Sequence, residues 1–164
     1  MEEQVIGQRE YQTKIRNWID QDFTLTHAAT LTLRPAFQRP DAARAVCQKF
    51  QHKLNKAIWG RNAWDNRLAE IAFVPITQST DAHCGGLHLH LALGGFPAHM
   101  SESQLLGKFE SAAQATPGVW HEVDFAPIEG NWLNYITREL RQRTDATLLA
   151  DLMAKAKHRF AARA

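Results

Sequence analysis

Cysteine is scarce in this chain. Two residues, Cys47 and Cys84, among 164 exclude a disulfide-stapled scaffold. Long apolar runs are missing too, so no segment reads as a membrane span. The opening Met-Glu-Glu-Gln has neither a basic stretch nor an apolar one, which excludes a secretory leader by this reading and predicts a cytoplasmic protein. There are no repeats and no low-complexity tracts. Apolar residues make up 45% and charged residues 22%, the balance of an ordinary globular domain, and the length suits one domain over 1–164.

Charge of one sign is also lacking, with a net of only +2, but its distribution is uneven. Residues 138–164 carry seven Lys/Arg against three Asp/Glu, while the rest carries twelve against fourteen. A basic tail behind a neutral body suits a polyanionic partner, and equally a solvated terminal helix.

The most strongly patterned stretch is Gly85-Gly86-Leu87-His88-Leu89-His90-Leu91-Ala92-Leu93-Gly94-Gly95. Strict alternation is the period-two mark of a half-buried strand, with four leucines on one face and two histidines on the other. Side chains two apart sit roughly 7 Å apart along a strand, so both imidazoles can lean onto one cation. They can equally be polar residues of a wet sheet face. Ala92, next on that face, leaves space beside them.

Around this strand the pattern predicts an N-terminal helix over 8–21 (Tyr11, Ile15, Trp18, Ile19) and a strand over 28–33. A helix follows from Pro40 to Gly60, with Asp41 as N-cap and Val46, Cys47, Phe50, Leu54 and Ile58 buried. A strand over 68–77 carries Pro75, which points to an edge or a bulge. A helix opens at Ser101 with Gln104 completing a capping box, then come a strand over 119–125, a helix over 131–143 and a terminal helix over 144–162. The order strand, helix, strand, strand, helix, strand predicts an α+β fold. Its core, 28–143, is a split β-α-β (ferredoxin-like, RRM-like) unit, an antiparallel sheet of four to five strands with helices on one face. The helix over 131–143 is expected near the histidine strand. There, Tyr135 and Arg138 lie on a flank apart from the stripe Leu133, Ile136 and Leu140. A tyrosine so placed either packs with a wet hydroxyl or acts on something outside the core.

Taken in order, these stretches resemble the HUH single-strand DNA endonucleases, and within them the small plasmid and phage replication initiators. Thr30-Leu31-Thr32-Leu33 is similar to the first motif strand, and Phe50 through Leu54-Asn55 to Gly60 to an "F…LN…G" helix. His88-Leu89-His90 with Pro97 resembles the second motif, and Trp132 to Glu139 the tyrosine motif. The likeness spans roughly residues 18–141. It implies a Tyr135 nucleophile assisted by Arg138, and a divalent metal, Mn²⁺ or Mg²⁺, on His88, His90 and a third ligand. Single-stranded DNA, in the form of a hairpin origin, is the implied partner, met by Arg141, Arg143, Thr30 and Thr32, with a host helicase following and no membrane. Two positions depart from the family. Arg138 stands where lysine is usual, and Gln78, or else Asp81 or His83, stands in for a glutamate ligand. Three alternatives remain: a non-catalytic origin-binding module, a transposase or relaxase with the same chemistry, and a zinc protein built on His83, Cys84, His88 and His90.

Overall fold

Leu87, Leu89, Leu91 and Leu93 occupy alternate positions of one strand and are all buried, so the apolar half of the pattern does organise the core. The computed structural model describes residues 2–79, 87–134, 137 and 147–158. Their elements run α1 (Glu2–Asp22), β1 (His27–Leu33), a 3-10 turn (Pro35–Phe37), α2 (Pro40–Trp59), α3 (Arg61–Asp65), β2 (Ala69–Glu70) and β3 (Ala72–Ser79). They continue with β4 (Leu87–Gly94), α4 (Glu102–Gln114), β5 (Val119–Pro127), helical residues 132–134 and 137, β6 (Thr147–Leu148), a second 3-10 turn (Ala150–Leu152) and β7 (Lys157–His158). The architecture is α+β, and no helix among the described residues is long and apolar enough to cross a membrane.

The main sheet is antiparallel in the order β5-β1-β4-β3-β6, with β6 a two-residue edge. Its leucine face, with Ala29, Leu31, Leu33 and Phe73, packs on Val46, Phe50, Leu54 and Ile58 of α2 and on Leu105 and Phe109 of α4. Each such side chain, fully withdrawn from water, contributes about 1.5–3 kcal/mol, so this layer is the main source of stability. Cys47 lies inside it, and burial pushes its thiol up to about 12, leaving an inert apolar filler.

Polar residues hold the layer's ends. Asn55, fully buried, accepts the Ile71 N–H at 2.9 Å and donates to the Gln51 carbonyl at 3.0 Å. It thereby satisfies a backbone donor at the break between β2 and β3. Ser101 and Gln104 form the capping box of α4 as read from the sequence. The cap of α2 is different. Arg39 is N-cap, Pro40 fills the first turn where no N–H is needed, and Asp41 lies inside the helix.

Four further expectations are corrected. Helices cover both faces of the sheet, not one: Ile19 and Phe23 of α1 form a second cluster with Ala72, Val74 and Ala92, joined by Trp132 and Leu133. The space beside Ala92 is thus filled. On α1 only Ile15 and Ile19 of the expected stripe turn inward, with Tyr11 and Trp18 exposed. The strand over 68–77 divides at Ile71 into β2 and β3, whose partners lie in different sheets. Residues 147–158, expected to be helical, instead pair with the edge of β3 at Thr147–Leu148 and Ala154, with a 3-10 turn at Ala150–Leu152 between, and pair with β2 at Lys157–His158. Phe73 exchanges two backbone bonds with Ala154, and Leu149 N–H donates to the Pro75 carbonyl. Leu148, Leu149 and Leu152 suit a helix by spacing, but an uncovered strand edge offers more. Leu152 enters the main core and Leu148 the second. Pro75 fits because the position that lacks an N–H is the one facing this strap.

Candidate metal centre on the histidine face

β4 alternation sends His88 and His90 to the face opposite the leucines, each half-buried. The register brings Thr32 beside His88 and Thr30 beside His90 from β1, and Gln78 beside His88 from β3. Thr32 Oγ1 is hydrogen-bonded to His88 Nδ1 at 3.1 Å, and Thr30 Oγ1 to His90 Nδ1 at 3.2 Å. Both threonines thus hold a ring from the same side, leaving the Nε2 atoms directed elsewhere. Gln78 reaches diagonally, with Oε1 2.5 Å from His90 Nε2. Thr30 and Thr32, which the resemblance assigns to DNA, place their hydroxyls against the two histidines. Their placement on one face was visible in the alternation of 28–33, whereas these contacts needed the register.

Burial holds both imidazoles below their usual pKa, His90 to about 4 with His88 adding repulsion. Both rings are therefore neutral near pH 7, the form that ligates a metal. Among the described residues no third histidine, cysteine or carboxylate gathers with them. Two imidazole nitrogens and an amide oxygen are a donor set that a borderline divalent ion such as Mn²⁺ accepts. The threonine bonds are the outer-sphere contacts that fix ring orientation at such sites. The ring centroids are 6.5 Å apart and tilted by 31°. Ligands about 2.1 Å from one cation hold such rings about 5 Å apart, so the two rings would have to move together to share one.

The flanks of the tyrosine motif lie on this same face. Trp132 and Leu133 pack on the cluster containing Ala92. Arg16 of α1 donates to Asn134 Oδ1 at 2.7 Å, and Gln12 donates to the buried Thr137 hydroxyl at 3.5 Å. Thr137 in turn donates to the Leu133 carbonyl at 2.7 Å. The part played by α1 in seating this helix was not foreseen, although Gln12 and Arg16 share a helix flank at a spacing of four. Tyr135, Arg138, Arg141 and Arg143 lie outside the described residues, as do Asp81, His83 and Cys84. No known protein family, curated protein or solved structure matches the chain.

Proposed function

We propose that this chain is a divalent-metal-dependent endonuclease that nicks and rejoins single-stranded DNA, with Tyr135 as nucleophile, acting as a plasmid or phage replication initiator. The observation that carries this reading is the threonine-braced pair His88 and His90, neutral and on one face, with Gln78 Oε1 against His90 Nε2. The fold adds support. The four long strands, numbered in chain order, stand fourth, first, third, second, the order of a split β-α-β sheet.

In the reaction the Tyr135 phenol oxygen forms a bond to phosphorus and the bond from phosphorus to the 3′ oxygen breaks. The phenol gives up its proton, and the departing oxygen takes one to become a 3′-hydroxyl. The strand's 5′ phosphate stays on the tyrosine, and reversal by an incoming 3′-hydroxyl rejoins DNA without ATP. At pH 7 only about one free tyrosine in a thousand is ionised, equivalent to roughly 4 kcal/mol of barrier. Held by His88, His90 and Gln78, a divalent cation would polarise the scissile phosphate and offset its developing charge. Arg138 keeps its proton throughout, so its part is to grip phosphate rather than to act as base. Thr30 and Thr32 keep the imidazoles in orientation.

The test is incubation with Mn²⁺ and a single-stranded hairpin oligonucleotide, followed by a denaturing gel. A covalent adduct is expected, absent in Tyr135→Phe. An adduct that persists in that variant, or Mn²⁺ affinity unchanged in His88→Ala/His90→Ala, overturns the assignment. The neutral Gln78 favours a second reading, an origin-binding protein without cleavage. That protein would bind DNA in a salt-sensitive way and form no adduct with any divalent ion.

A further inference from the structure

A cleft of about 570 Å³ separates α1 from residues 128–134, and its Phe23, Leu25, Trp132 and Leu133 belong to the apolar cluster that contains Ala92. Phe23 and Leu25 contribute apolar wall, and Trp132 is half-buried beside them. The bond from Arg16 to Asn134 ties the two sides together and fixes the width. Asn17 and Asp20 project from α1, and Asn131 from the opposite side. Among the described residues, no partner is recorded for the side chains of Asn17, Asp20 or Asn131.

We infer that this cleft takes one unstacked guanine of the single strand. The inference rests on the proposed nicking function for the class of ligand. The chemistry of the cleft then chooses the part of the strand. An aromatic ring in an apolar wall suits a base, because stacking on tryptophan is available to any nucleobase. An unpaired Asp20 carboxylate repels phosphate and can only accept hydrogen bonds, so a base edge with N–H donors enters rather than the backbone. Guanine alone offers two adjacent donors, N1–H and the N2 amino group, to one carboxylate. Its O6 then faces the amide N–H groups of Asn17 or Asn131. Adenine, cytosine and thymine each set a lone pair beside their donor, against the carboxylate.

The test uses labelled dT 15-mers with one central dG, dA or dC, titrated by fluorescence anisotropy in EDTA so that no cutting occurs. The dG oligonucleotide is expected to bind at least about fivefold tighter than the dA one. Asp20→Asn, on an exposed helix position, should erase that preference, with plain dT bound at least as tightly as by the parent. Trp132→Leu should weaken every oligonucleotide about tenfold. Equal affinities for the four strands, or a dG preference that survives Asp20→Asn, overturn the inference. Scoring Mn²⁺-dependent adducts on the same oligonucleotides separates the two ideas. A dG preference without adduct keeps the cleft and removes the nicking, whereas adduct without base preference keeps the nicking and removes the cleft.

Discussion

Replacing Asn55 by alanine should cost this protein far more than a typical polar substitution. The Asn55 side chain is fully buried and supplies the acceptor for the Ile71 N–H at 2.9 Å. Ile71 is itself fully buried, so water cannot substitute. An unsatisfied buried donor costs about 1–3 kcal/mol, and the vacated volume adds roughly another. For a domain of this length each kcal/mol lowers Tm by about 2–4 °C, so Asn55→Ala should melt roughly 5–15 °C below the parent. Asn55→Asp separates shape from charge. Its protonated carboxyl can accept from Ile71 and donate to the Gln51 carbonyl as the amide does. Ionisation buries an unpaired charge, so the folded-state pKa stands above the unfolded one. The variant's deficit should therefore be small below about pH 4 and grow as the pH rises through the folded-state value. Circular-dichroism melting of the three proteins at pH 7 and pH 4 reads both effects. Asn55→Ala within 0.5 kcal/mol (about 1–2 °C) of the parent would refute the assigned role.

Other consequences can be measured just as directly. With a chelator present, stability should fall as the pH drops from about 6.5 towards 4. Unfolded His90 takes up a proton there that the buried ring refuses, a loss of roughly 3 kcal/mol that His90→Asn should remove from the denaturation profile. A His90→Asn profile as steep as the parent's would count against that burial. Gly94→Ala drives a Cβ into the Thr24 carbonyl oxygen and should cost several kcal/mol, whereas Gly107→Ala meets nothing within 4 Å inside α4 and should stabilise by about 0.5–1 kcal/mol. Equal melting temperatures for that pair would contradict the packing. Gln78→Glu places a formal charge beside His90 and should tighten Mn²⁺ binding about tenfold or more by calorimetry; an unchanged affinity would exclude Gln78 as a ligand.

Legibility in the sequence followed the physics of each element. β4, α2 and α4 were readable because their periodicity, proline start and capping box are local signals, and the structure uses each of them. The histidine pair was readable for the same reason. Its threonine braces and the Gln78 diagonal were not, because they depend on pairing β1 and β3 across β4, which no single stretch contains. The stretch around Leu148 to Leu152 misled because a leucine pair and a third four residues on satisfy a helix face and a strap equally well. What decided between them was the open edge of β3, a feature of the fold and not of that stretch. The second covered face was missed likewise, since the value of Ile19 and Phe23 depends on Ala72, Val74 and Ala92 being small enough to receive them.

The strap also bears on how the chain reaches its native state. β1, α2, β3, β4, α4 and β5 all precede the strap in the chain, so the sheet can pair as they leave the ribosome without it. The strap joins last, since Ala154 is made after every other strand of the sheet it closes. Until it does, one rim of the nascent sheet offers bare amides and carbonyls to any neighbouring chain. Crowded synthesis, more than heat, is then the condition in which this protein is most exposed to self-association.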